Sequence, residues 1–201
     1  MKAISKSLKK NDPNHLNLGI RYGYIEQLDD ELLRISKESF DALSFNCYAL
    51  SPDHEKMNHA LEISGLPMII GEYHFGTVDR GLAQSLWQVN SQKERGDAFR
   101  YYTENAFAHR GLIGTGWFRW IDQNINGRTD GENYNCGFID VTDRPYPYMV
   151  DAAIETAKSL YEIHSGTKTP FHQAPNAVGH SPIPDLWLSL IHISEPTRQA
   201  E

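Results

Sequence analysis

The chain has only two cysteines, Cys47 and Cys136, in 201 residues. They form neither a disulfide framework nor a metal-ligand pattern, and they leave the redox compartment open. No apolar run approaches the about 18 residues that cross a bilayer, and no charged-then-apolar leader opens the chain. Basic residues are few and scattered: 19 Lys and Arg stand against 26 Asp and Glu, a net charge of −7. With no Lys/Arg run and no nucleic-acid motif, binding to a phosphate backbone is disfavoured. Gly-x-Ser-x-Gly is absent. The glycines between Gly111 and Gly116 lack a following Lys-Ser/Thr and lead into a strand pattern, so they make no phosphate loop. His54 and His59 lie five residues apart. At about 100° per residue they leave a helix on different faces, which disfavours a shared zinc. No metal or organic cofactor is implied.

What is present is alternation. Strand-like segments at 16–22, 42–49, 68–74 and 112–121 alternate with helix patterns at 29–40, through residue 63 after Ser51-Pro52-Asp53, at 97–109 and at 146–164. Met1, Ile4 and Leu8, with lysines between them, read as the tail of an amphipathic helix. Four strand–helix units in a row predict an α/β fold with a parallel sheet. Four units are half of a (β/α)8 barrel, and 201 residues fall short of the about 250 of a whole one.

The segment Met68-Ile69-Ile70-Gly71-Glu72-Tyr73-His74-Phe75-Gly76 concentrates the chemistry. An apolar run delivers a carboxylate, an imidazole and two aromatics to its end. A buried carboxylate costs several kcal/mol unless something pairs with it. At the C-terminal end of a barrel strand, such a group is a candidate for catalysis; the alternative is a carboxylate capping a neighbouring loop. Aromatics make up 11% of the chain. Several cluster at expected strand ends, where their faces suit sugar rings, although most aromatics are simply core.

Several stretches resemble one family in order and spacing. They are Asp12-Pro13-Asn14-His15-Leu16, Leu18-Gly19-Ile20-Arg21, Phe45-Asn46-Cys47-Tyr48, Ile70 to Gly76, Trp117-Phe118-Arg119-Trp120, Asp130-Gly131-Glu132-Asn133-Tyr134-Asn135 and Val141 to Tyr146. Together they resemble the C-terminal half of an agarase-like glycoside hydrolase, of the retaining β-glycosidase clan that includes β-galactosidases. The resemblance covers roughly residues 1–165. It implies that the four strands are the fifth to eighth of a barrel and that Glu72 is the nucleophile. The clan's acid/base glutamate, usually after an asparagine, would lie upstream of Met1; no Asn-Glu dipeptide occurs here. Retaining hydrolysis needs both carboxylates, about 5–5.5 Å apart. The chain alone is therefore expected to be inactive, with Met1 an internal methionine of a longer parent. That parent is expected to be exported, and the open sheet edges are expected to self-associate.

Around Glu72, Tyr48 is a candidate to hold the carboxylate's rotamer, or a core tyrosine. Asn46 alternates with Tyr48 and shares its side. Arg21 is a candidate to pair with Glu72, or a surface ion pair. His74 is a candidate sugar ligand, or a histidine satisfied by backbone. Strand parity favours Trp117 over Trp120 as the floor of a sugar site. The loop with Glu132 and Asn135 is a candidate to shape the pocket mouth, with a solvated loop the favoured alternative. Residues 166–187 read as an irregular tail, and 188–201 resemble translated sequencing adapter and are set aside. Two other readings stay open: a non-catalytic carbohydrate-binding module, and an unrelated doubly wound α/β domain, which a reversal of strand order would support.

Overall fold

The computed structural model describes residues 1–83 and 85–179. In chain order the elements are α1 (Lys2–Asn11), β1 (Arg21–Tyr22), α2 (Asp30–Lys37), β2 (Leu43–Asn46), α3 (His54–Ser64), β3 (Met68–Tyr73), β4 (Trp87–Gln88), α4 (Gln92–Phe107), β5 (Leu112–Trp117), α5 (Pro147–His164) and β6 (Val178–Gly179). Four strands form one sheet in the order β1-β2-β3-β5, every pair parallel. The order never reverses, as along a barrel wall, which counts against the doubly wound alternative. β4 and β6 pair antiparallel in a separate two-stranded ribbon. The adapter-like segment lies outside the described residues.

Local chemistry sets the helix ends. Asp29 caps α2 by accepting from Leu32 N–H, and Asp53 caps α3 by accepting from Glu55 and Lys56. Gly65 closes α3 at φ +66°, a conformation that favours glycine. α4 begins five residues earlier than the periodicity suggests. Ser91 accepts from Glu94 N–H, while the Glu94 carboxylate receives Asn90 N–H, so both ends of the first turn are held.

One face of the sheet carries the core. Leu43, Phe45, Met68, Ile70, Tyr73 and Leu112 are fully buried against Leu33, Met57, Ala98, Tyr102 and Met149 from the helices. The opposite face stays open, with Ser44, Asn46, Ile69 and Glu72 half-buried and Ile113 exposed.

The strands of the sheet are shorter than expected, β2 keeping Leu43–Asn46 of 42–49 and β3 Met68–Tyr73 of 68–74. Of 16–22 only Arg21–Tyr22 pairs, while Leu16, Leu18 and Ile20 are exposed. Gly19 at φ +76° interrupts the extended run, and this edge has no outer neighbour to enforce pairing among the described residues. β5 stops at Trp117 because the chain then leaves the sheet: Trp120 C=O accepts from Phe138 and Ile139 N–H. The apolar stripe of α1 also differs from expectation, since Met1, Ile4 and Leu8 are exposed and Ser5 is its buried residue.

Candidate active site

The strand ends bring four of the expected residues together. Glu72 sits at the C-terminal end of β3, its side chain 18% exposed. Asn46 Nδ2 donates to Glu72 Oε2 at 3.1 Å, and Tyr48 OH donates to the same oxygen at 2.8 Å. Arg21 Nη2 lies 2.9 Å from Oε1. Three donors from the two preceding units of the sheet therefore converge on one carboxylate of the third. A carboxylate bonded this way is held in one rotamer.

A register irregularity aims it. Phe45 pairs with Ile70 and Asn46 with Glu72, so Gly71 is an extra residue on β3. Met68, Ile70 and Tyr73 face the helices, and the bulge turns Glu72 to the open face.

Tyr48 is itself braced. Its ring meets His74 edge-on at 4.9 Å and packs on the cluster of Leu86, Tyr134 and Cys136. Burial raises the Tyr48 pKa well above its ordinary value, and the Glu72 charge adds to this. The phenol is thus a neutral donor throughout the working range.

His74 takes the backbone-satisfied alternative, not the role of sugar ligand. It is 1% exposed; Nδ1–H donates to Phe118 C=O at 2.9 Å and Nε2 accepts from Leu86 N–H at 3.1 Å. Burial pushes its pKa down to about 3, so it is a neutral pin between two loops.

Trp117 also differs from expectation. Its indole lies among Tyr73, Phe99 and Phe138 at 5.2–5.8 Å between centroids, on the helix side, and Nε1–H donates to Cys136 C=O at 2.7 Å. It packs the core and does not floor the open face. Parity fails here because Ile113 is an extra residue: Met68 pairs with Leu112 and Ile69 with Gly114, which inverts the alternation beyond it. Trp120 is the exposed tryptophan, at 68%, stacked on Phe138.

The loop after β5 is packed at its base, around Asp122 and Asn135, and exposed at residues 124–126, 128–129 and 141–145. Asp122 is 4% exposed and accepts from Gly137 N–H at 2.7 Å, Asn135 Nδ2 at 2.8 Å and Tyr146 OH at 2.6 Å. Arg95 of α4 is fully buried; it donates to Asn135 and Gly137 carbonyls and lies 4.5 Å over the Tyr146 ring. Glu132 accepts from Gln123 Nε2 at 2.7 Å. Nothing in the spacing of Arg95 or Asp122 marked them, because burial of a charge inside a loop is not a periodic signal. The two histidines of α3 part as expected, His54 to Asn105 C=O and His59 to Asp30. Among the described residues no group of three His, Cys, Asp or Glu could hold a metal, and no helix is long and apolar enough to cross a membrane.

No family model matches the chain. It is 36% identical over 165 residues to β-agarase A of Vibrio sp. (strain JT0107), a match covering 79% of the chain and 16% of that protein. This chain is agarase-like. The fold agrees: a solved agarase superposes with a TM-score of 0.75 at 37% identity, covering 80% of the agarase-like chain and 25% of the solved one. A solved exo-β-agarase gives 0.75 at 34% identity, covering 82% and 22%. The agarase-like chain thus spans about a sixth of the length of the curated relative.

Proposed function

We propose that the chain carries the nucleophile side of a retaining β-glycosidase that acts on a galactose-containing polysaccharide, agarose by the names of its relatives. The supporting observation is the convergence of Arg21, Asn46 and Tyr48 on Glu72 at the open face. In this reading Glu72 attacks the anomeric carbon as the bond to the leaving oxygen breaks. The oxygen takes its proton from a second carboxylic acid, and water later releases the glycosyl group. This reading assigns that second carboxylic acid to the part of the longer relatives that the chain does not span. In this reading residues 1–165 are the half-barrel unit. A polysaccharide too large to enter a cell is met outside it, so the parent is exported.

The test is mass spectrometry of the chain after exposure to 2,4-dinitrophenyl 2-deoxy-2-fluoro-β-galactoside, an activated substrate needing no acid. A glycosyl adduct on Glu72, absent in Glu72→Gln, with no hydrolysis of agaro-oligosaccharides, is the expected result. Label on another residue removes Glu72 from the role, and turnover of the oligosaccharide overturns the fragment reading.

The chain is also proposed to self-associate through its open edges, where Leu16, Leu18, Ile20 and Ile113 are exposed. Light scattering is expected to show dimers or larger species that Ile113→Lys reduces; a clean monomer contradicts this.

A further inference from the structure

We propose that Gly71 is a positioning residue, kept free of a side chain so that Arg21 can cross the open face and reach Glu72. Arg21 pairs in register with Ser44, and Ser44 with Ile69. To touch Glu72 its side chain must therefore run diagonally over β2 and past Gly71. A Cβ built on Gly71 would overlap Arg21 Cδ, and would stand 3.1 Å from Arg21 Cγ and 3.3 Å from Asn46 Oδ1. The overlapping atom lies mid-chain, so moving it carries the guanidinium away from the carboxylate. Gly71 does not have a positive φ, so backbone conformation does not call for glycine here. What remains is space. The same residue is the extra one of the bulge, so the irregularity that turns Glu72 outward also clears the path of its cation.

The geometry stands apart from the nucleophile reading, and only its catalytic consequence rests on that reading. The experiment uses the 201-residue chain and its Gly71→Ala, Arg21→Gln and Glu72→Gln variants. Solvent exchange of the Arg21 Nη protons, followed by NMR, is expected to quicken about tenfold in Gly71→Ala and by the same factor in Glu72→Gln, with no further change in the double variant. Thermal melting supplies the second reading. Gly71→Ala is expected to lower the midpoint in the Arg21 background and to leave it unchanged in Arg21→Gln. An Arg21 proton that stays protected in Gly71→Ala overturns the proposal. So does an alanine that destabilises both backgrounds alike or unfolds Arg21→Gln, because the glycine then serves the bulge alone. Loss of the glycosyl adduct without a change at Arg21 bears on the Glu72 assignment and not on Gly71.

Discussion

Tyr48 reaches Glu72 from just beyond the neighbouring strand, its phenol 2.8 Å from the carboxylate oxygen that Asn46 also holds. Two donors on Oε2 and a cation on Oε1 leave the carboxylate few orientations. Tyr48→Phe removes one hydrogen bond to a charged group, worth about 1.5–3 kcal/mol. Glycosylation of Glu72 by the activated fluorosugar is expected to slow by roughly ten- to a hundredfold, and the melting temperature to fall by several degrees. Time-resolved mass spectrometry of the Glu72 peptide measures this, and an unchanged rate would show that the phenol serves packing only.

Asp122 ties the loop after β5 to α4 and α5. Its three donors and the buried Arg95 make it one partner of a desolvated charge network. Asp122→Ala is expected to cost about 3–5 kcal/mol, because the buried Arg95 loses its largest neighbouring negative charge and Gly137 N–H, Asn135 Nδ2 and Tyr146 OH lose their common acceptor. Removing the exposed pair Lys158–Glu155 is expected to cost no more than about 1 kcal/mol. Urea midpoints of the two variants compare them directly.

Acid is expected to weaken the fold through its buried imidazoles. Burial lowers His74 to about 3 and His109 to about 4, the latter helped by His54. The ordinary histidine value is about 6.5, so below it the unfolded chain takes up protons that the folded chain refuses. The contribution of a neutral His74 is complete above about pH 6.5. It falls by at most about 1.4 kcal/mol per pH unit toward pH 3. Urea titrations between pH 7 and 4.5 should show this slope, and His74→Asn should flatten it; a variant with an unchanged slope would assign the acid sensitivity elsewhere.

The two tryptophans are expected to part in stability. Trp117→Ala opens a cavity among Tyr73, Phe99 and Phe138 and costs about 3–5 kcal/mol. Trp120→Ala, at an exposed site, costs no more than about 1 kcal/mol. Thermal melts decide between this and the opposite order, which a floor-forming, loosely packed Trp117 would give.

The sequence by itself determined the alternation of strands and helices, the helix start after Ser51-Pro52-Asp53, and the delivery of Glu72 to a strand end. These are local matters: period, end chemistry and one carboxylate in an apolar run. The pairing of Arg21, Asn46 and Tyr48 with Glu72 was legible as candidacy, since strand-end residues on neighbouring units converge once the sheet is parallel. Which way each side chain points was settled only by tertiary structure. Strict alternation would have put Glu72 on the same side as Met68 and Ile70, in the core. The extra residue Gly71 reversed that, and the extra residue Ile113 did the same to Trp117, moving it from the open face to the helix side. Bulges arise from how two strands meet, so no single strand's period records them. Nor does local pattern record that Arg95 and Asp122 are buried together: they lie in separate elements, and only the packing of a loop over helices takes water away from both.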